Sequence, residues 1–113
     1  MEGRITPTYN KLVRDKIPAI IEQSGKTFKS RVLQREEYQH ELIKKAKEEL
    51  QEYIEAPTHQ EAIEELADLL EVMQALAAVH GATPEQLEKV REEKARERGK
   101  FDDRVYLVET GEA

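Results

Sequence analysis

Apolar positions recur at helical spacing over residues 35–55 and again over 60–79, which predicts two long helices. The first must stop before Pro57, because the residue ahead of a proline avoids helical geometry. A loop around "PTH" (57–59) follows, and His80-Gly81 ends the second helix. Two long helices joined so closely pack antiparallel. "TPEQ" (83–86) predicts a third start, with Thr83 as cap, Pro84 in the first turn and Gln86 completing a capping box. That helix runs to about Arg98, with Gly99 as its stop. Upstream, 9–25 opens extended and turns into a short helix, with Pro18 in its first turn and Gly25 at its end. Residues 1–8 read as a loose leader. "TFKSRVL" (27–33) carries β-branched and aromatic residues with alternating polarity, and "VYLVE" (105–109) has a similar strand-like content, so 27–33 and 104–109 can pair as a short ribbon. The expected fold is all-α: one domain over 1–113, built on a helical hairpin.

The two long helices differ in how their polar residues are placed. On the first, Tyr38, Leu42, Ala46, Leu50 and Tyr53 share an arc at about 100° per residue. Glu49 falls inside that arc, Glu52 on its edge, and Glu48 further round toward solvent. The second helix is apolar nearly all round, and Glu64, Glu71 and Gln74 mark its wet strip. Glu65 lies roughly opposite that strip, among Leu69, Val72, Leu76 and Val79, with Asp68 one turn on. Glu36, Glu37, Glu41, Glu55 and Glu61 read as ordinary solvated charge.

Composition sharpens this picture. Of 113 residues, 38% are hydrophobic and 37% charged, so one chain has a thin core. A second copy would supply the missing apolar surface, which points to a homodimer or a higher homo-oligomer. Acidic residues outnumber basic ones by 24 to 18, for a net charge of −6, which argues against nonspecific binding to nucleic acid or an anionic membrane. There is no cysteine, hence no disulfide, thiolate metal site or thiol nucleophile. No apolar run has the length of a membrane span and no signal-peptide core is visible, so a soluble cytoplasmic protein is the simplest expectation.

Carboxylates directed into a helix interface are costly unless they are neutralised. Residues three apart are neighbours on a helix, so Glu49 with Glu52, and Glu65 with Asp68, form two pairs. Oxygen-only ligands suit Mg²⁺, with Mn²⁺ an alternative. Ion pairs to Lys45 or other bases are the competing explanation.

The pattern E-E-x-x-E on one helix (Glu48, Glu49, Glu52) and E-x-x-D on the next (Glu65, Asp68) resembles the all-α NTP pyrophosphatases of the MazG type. "YNKLVRDKIPAII" and "KARERGKFDDRVYLVE" resemble the flanks of a branch of small, single-domain MazG-like proteins, so the likeness runs from Tyr9 to Glu109. The resemblance implies a helical module that dimerises into a bundle. It implies Mg²⁺ held by Glu49, Glu52, Glu65 and Asp68. It also implies hydrolysis of a nucleoside triphosphate to the monophosphate and pyrophosphate, as in the removal of non-standard nucleotides.

Hydrolysis of this kind needs a base and cations for the phosphates. Glu48 and Glu52 are the candidate bases. Lys11, Arg14, Lys94 and Arg98 are the candidate phosphate ligands, since arginine suits bidentate and lysine point-charge contact. Lys94 and Arg98 continue a stripe that Leu87 and Val90 begin. Glu37-Tyr-Gln-His40 has the spacing of a di-iron ligand pair, but it stands alone. His40, His59 and His80 read as surface residues, and no phosphate-binding glycine loop of the P-loop kind is present. Two other functions compete: a phosphoribosyl-ATP pyrophosphohydrolase, which cleaves the same kind of bond, and a noncatalytic metal-binding helical dimer.

Overall fold

A computed structural model describes residues 9–112, and the leader expected at 1–8 lies outside them. The described chain forms four helices: α1 (Ile17–Gln23), α2 (Arg35–Glu55), α3 (His59–Val79) and α4 (Pro84–Arg98). Each boundary has a local cause. Pro18 stands in the first turn of α1, where its missing N–H costs nothing. α2 ends as Ala56 turns extended ahead of Pro57. Thr58 caps α3 by accepting from the Glu61 N–H at 3.1 Å, so this helix begins one residue before the predicted start. Thr83 and Gln86 form the capping box of α4, at 3.1 and 2.8 Å. Gly81 (φ 82°) and Gly99 (φ 84°) take the left-handed conformations that leave α3 and α4.

α2 and α3 form the hairpin that carries the fold, and α4 packs against α3. Arg35 ties the open end of the hairpin, donating from its guanidinium to the Val79 carbonyl at 2.7 Å. That contact uses one of the carbonyls left unpaired at the C-terminus of α3. The interior is small: Leu42 of α2 and Val72 of α3 are the buried apolar residues. Ile63, Leu66, Leu70 and Met73 of α3, with Leu50 and Ile54 of α2, are exposed. The apolar circumference expected of α3 is therefore only partly used within one chain. Residues 27–33 and 104–109 carry no helix, and among the described residues they form no strand pairing. No helix is long and apolar enough to cross a membrane.

Candidate metal centre

The hairpin brings the two acidic motifs face to face. Glu49 is buried in the α2–α3 interface, only 6% exposed, while Glu52 one turn on is exposed. Glu65 and Asp68 lie half-buried on α3. Glu48, Glu49 and Glu52 can each offer an oxygen within 4.8 Å of the others, and Glu49, Glu65 and Asp68 can do the same. Glu49 is common to both groups and so joins the two helices into one cluster.

Three basic residues touch this cluster. Lys11 Nζ lies 3.3 Å from Glu48 Oε1, and Arg14 donates to Asp68 Oδ1 at 2.6 Å. Lys45 Nζ lies 3.5 Å from Glu48 and 3.7 Å from Glu49. Among the described residues five carboxylates thus meet three cations, a deficit that matches one divalent ion. The ion pairs are also unevenly placed. Among the described residues, Glu49 Oε2 and Glu65 Oε2 are buried without a hydrogen-bond partner, and no base reaches Glu65. A buried, unpartnered carboxylate oxygen carries a desolvation cost that these salt bridges leave uncompensated.

The proton affinities follow from this arrangement. Burial pushes Glu49 above the ordinary carboxylate range, and the nearby Glu52 adds to the effect. Glu65 is pushed up to about 7, first because the Glu52 carboxylate lies close enough to accept from a protonated Glu65, then by burial and the charges of Glu52 and Glu49. Burial raises Glu48 as well, but Lys11 and Lys45 outweigh it and hold that carboxyl below its usual value. The raised proton affinities of Glu49 and Glu65 mark a spot where a cation would serve the same electrostatic purpose as a proton.

These residues fit a hard divalent cation. The donors are all oxygen, they converge from two rigid helices, and two of them are buried without partners. Of the candidate phosphate ligands, Lys11 and Arg14 stand at the carboxylates. Lys94 and Arg98 do not: both are exposed on α4, and among the described residues neither forms an ion pair or a side-chain hydrogen bond. Lys45 was visible to sequence only as an ion-pair partner. Its placement three and four residues before Glu48 and Glu49 is the signal that it bridges both.

Residues 13–95 match the family model of phosphoribosyl-ATP pyrophosphohydrolase. No curated protein and no solved structure matches the chain.

Proposed function

The chain belongs to the phosphoribosyl-ATP pyrophosphohydrolase family, part of the MazG-like all-α NTP pyrophosphatase superfamily, and from that premise we propose a Mg²⁺-dependent nucleoside triphosphate pyrophosphohydrolase. The reaction is hydrolysis between the α- and β-phosphates, giving a nucleoside monophosphate and pyrophosphate. The observation that carries this reading is the pair of buried, unpartnered oxygens, Glu49 Oε2 and Glu65 Oε2, on facing helices. Glu49, Glu52, Glu65 and Asp68 would hold the cation, with Mn²⁺ as a substitute. Bound there, it would screen the triphosphate oxygens and lower the pKa of a coordinated water.

The chain's own residues supply the rest. Glu52 is the better placed base, since it is exposed and, among the described residues, meets no basic residue, whereas Glu48 is held low in proton affinity by Lys11 and Lys45. Glu48 then serves to position those two cations. Lys11 and Arg14 each have an exposed side chain at the mouth of the cluster and can exchange a carboxylate for a phosphate oxygen. Lys94 and Arg98 are the cations remaining for the distal phosphates. Lys94→Ala or Arg98→Ala should raise KM several-fold with stability unchanged, and unchanged constants would return the residue to plain surface charge.

A second reading, phosphoribosyl-ATP pyrophosphohydrolase, is favoured by the family match itself. It places the same carboxylates around the same kind of bond. The decisive experiment measures pyrophosphate release from a panel of NTPs, dNTPs and phosphoribosyl-ATP, with Mg²⁺ or Mn²⁺. Turnover of one or more nucleoside triphosphates supports the first reading, and turnover of phosphoribosyl-ATP alone selects the second. Release from none of them, by protein that the metal still stabilises, leaves a noncatalytic metal-binding dimer.

A further inference from the structure

Residues 105–108 are apolar, lie outside any helix and, among the described residues, are largely uncovered. Val105, Tyr106, Leu107 and Val108 are 85%, 88%, 72% and 83% exposed. In a strand, Val105 and Leu107 point one way and Tyr106 and Val108 the other. A wet edge strand would alternate apolar with polar; four apolar residues in succession belong to a strand covered on both sides. The backbone repeats the message: among the described residues, 105–112 make no backbone hydrogen bond. Among the described residues, 27–33 likewise make no backbone hydrogen bond, and Val32 is 96% exposed, while Arg31 ties the segment to Glu37 of α2 by two side-chain hydrogen bonds.

The departure of this tail is built into the chain. Gly99 ends α4 at φ 84°, and a turn then closes with the Arg104 N–H donating to the Phe101 carbonyl at 3.1 Å. Arg104 itself sits at φ 57°, a conformation that costs a non-glycine residue about 1 kcal/mol. The described chain has a radius of gyration of 19.6 Å, against about 13 Å for a compact domain of this length. Among the described residues no backbone hydrogen bond joins the two strand-like segments, yet their charges are complementary. Lys26 precedes one segment and Lys29 lies within it, between Phe28 and Val32; Asp103 and Glu109 flank the apolar residues of the other; among the described residues none of the four forms an ion pair.

We propose that residues 104–109 are an exchanged arm, which pairs as a strand with residues 27–33 of a second copy of this chain. Six residues reach about 20 Å, enough to pair along six of the seven residues of 27–33. Pairing satisfies the backbone groups along the edge where the two segments meet and sets the apolar side chains of one beside those of the other. The proposal concerns an interface and does not depend on the reaction assigned to the carboxylates.

The test uses the full chain without substitution. Equal amounts of ¹⁴N- and ¹⁵N-labelled protein are unfolded together, refolded and treated with a carbodiimide, which joins an amine to a carboxylate only where the two are in contact. Peptides linking Lys26 or Lys29 to Asp102, Asp103 or Glu109 are then weighed. The expected result is that about half of these links join one light and one heavy peptide, the proportion for random pairing in a dimer. A Lys26–Glu109 link would indicate antiparallel strands, and a Lys26–Asp103 link parallel ones. Links confined to peptides of one isotope would mean an arm folded on its own chain and would overturn the proposal. Absence of any link between the two segments would overturn it equally.

Discussion

Glu65 sets the energetic problem at the scale of single residues. Its Oε2 is buried with no partner, and Glu49 and Glu52 crowd it. If a cation offsets that cost, Glu65→Gln should abolish pyrophosphate release and leave the fold intact. Thermal stabilisation by Mg²⁺ or Mn²⁺ should vanish with it, because a ligand stabilises only by binding the native state. In the absence of metal the Gln variant should be at least as stable as the parent, since one repelling charge is gone. Glu64→Gln is the control, for Glu64 is exposed on the same helix and hydrogen-bonded to Gln60. Two variants that behave alike, active and metal-stabilised, would move the metal site elsewhere. The raised proton affinity of Glu65 has its own consequence. The folded state binds this proton more tightly than the unfolded state, so the contribution to stability is complete below the ordinary glutamate pKa and is lost as pH rises through about 7. Metal-free protein should therefore lose denaturant resistance between about pH 5 and about pH 8, and Glu65→Gln should flatten that slope. A parent slope no steeper than the variant's would contradict the assignment.

At the scale of elements, the site depends on how firmly α3 is started and held against α2. Thr58 gives α3 its cap only a few residues ahead of Glu65. Thr58→Ala should cost about 1 kcal/mol in urea unfolding while metal binding persists, because the helix frays from an end that does not itself carry ligands. A loss of metal affinity larger than the loss of stability would show that the cap also sets the position of Glu65. Sequence spacing placed these helices well. Periodicity, Pro57, Gly81 and the Thr83–Gln86 box each act within a few residues, so their effect can be read without knowing what lies across the interface. Thr58 was passed over as loop because a threonine behind a proline is equally at home in a turn.

For the whole molecule, the issue is unused apolar surface. Leu50 and Ile54 of α2 and Ile63, Leu66, Leu70 and Met73 of α3 are all exposed in a single chain whose buried apolar core is Leu42 and Val72. A second copy packed on this face would complete the bundle. Light scattering at micromolar concentration should then give twice the 13.1 kDa of one chain. Leu70→Asp should return the mass to that of the monomer and lower the thermal midpoint, since it buries an unpaired charge in the contact. A parent protein that is folded and monomeric would refute the dimer.

The sequence alone determined the helices, their order and the acidic motifs that face one another, because helical periodicity fixes which side of each helix a residue occupies. It also fixed Glu49 as an inward residue, and the structure finds that side chain buried. Tertiary structure alone decided which cations meet those carboxylates. Lys11 and Arg14 reach Glu48 and Asp68 across 37 and 54 residues of chain, a closure that no local rule encodes. It likewise separated Lys94 and Arg98 from the cluster, though their residue types are as suited to phosphate as the others. The two strand-like segments are the sharpest case. Their β-branched and aromatic content was legible, but pairing is a matter of what lies alongside, and among the described residues of one chain neither segment has a backbone hydrogen-bond partner. Periodicity acts along the chain, whereas ion pairing and strand pairing act through space, and only the folded arrangement brings those distances into being.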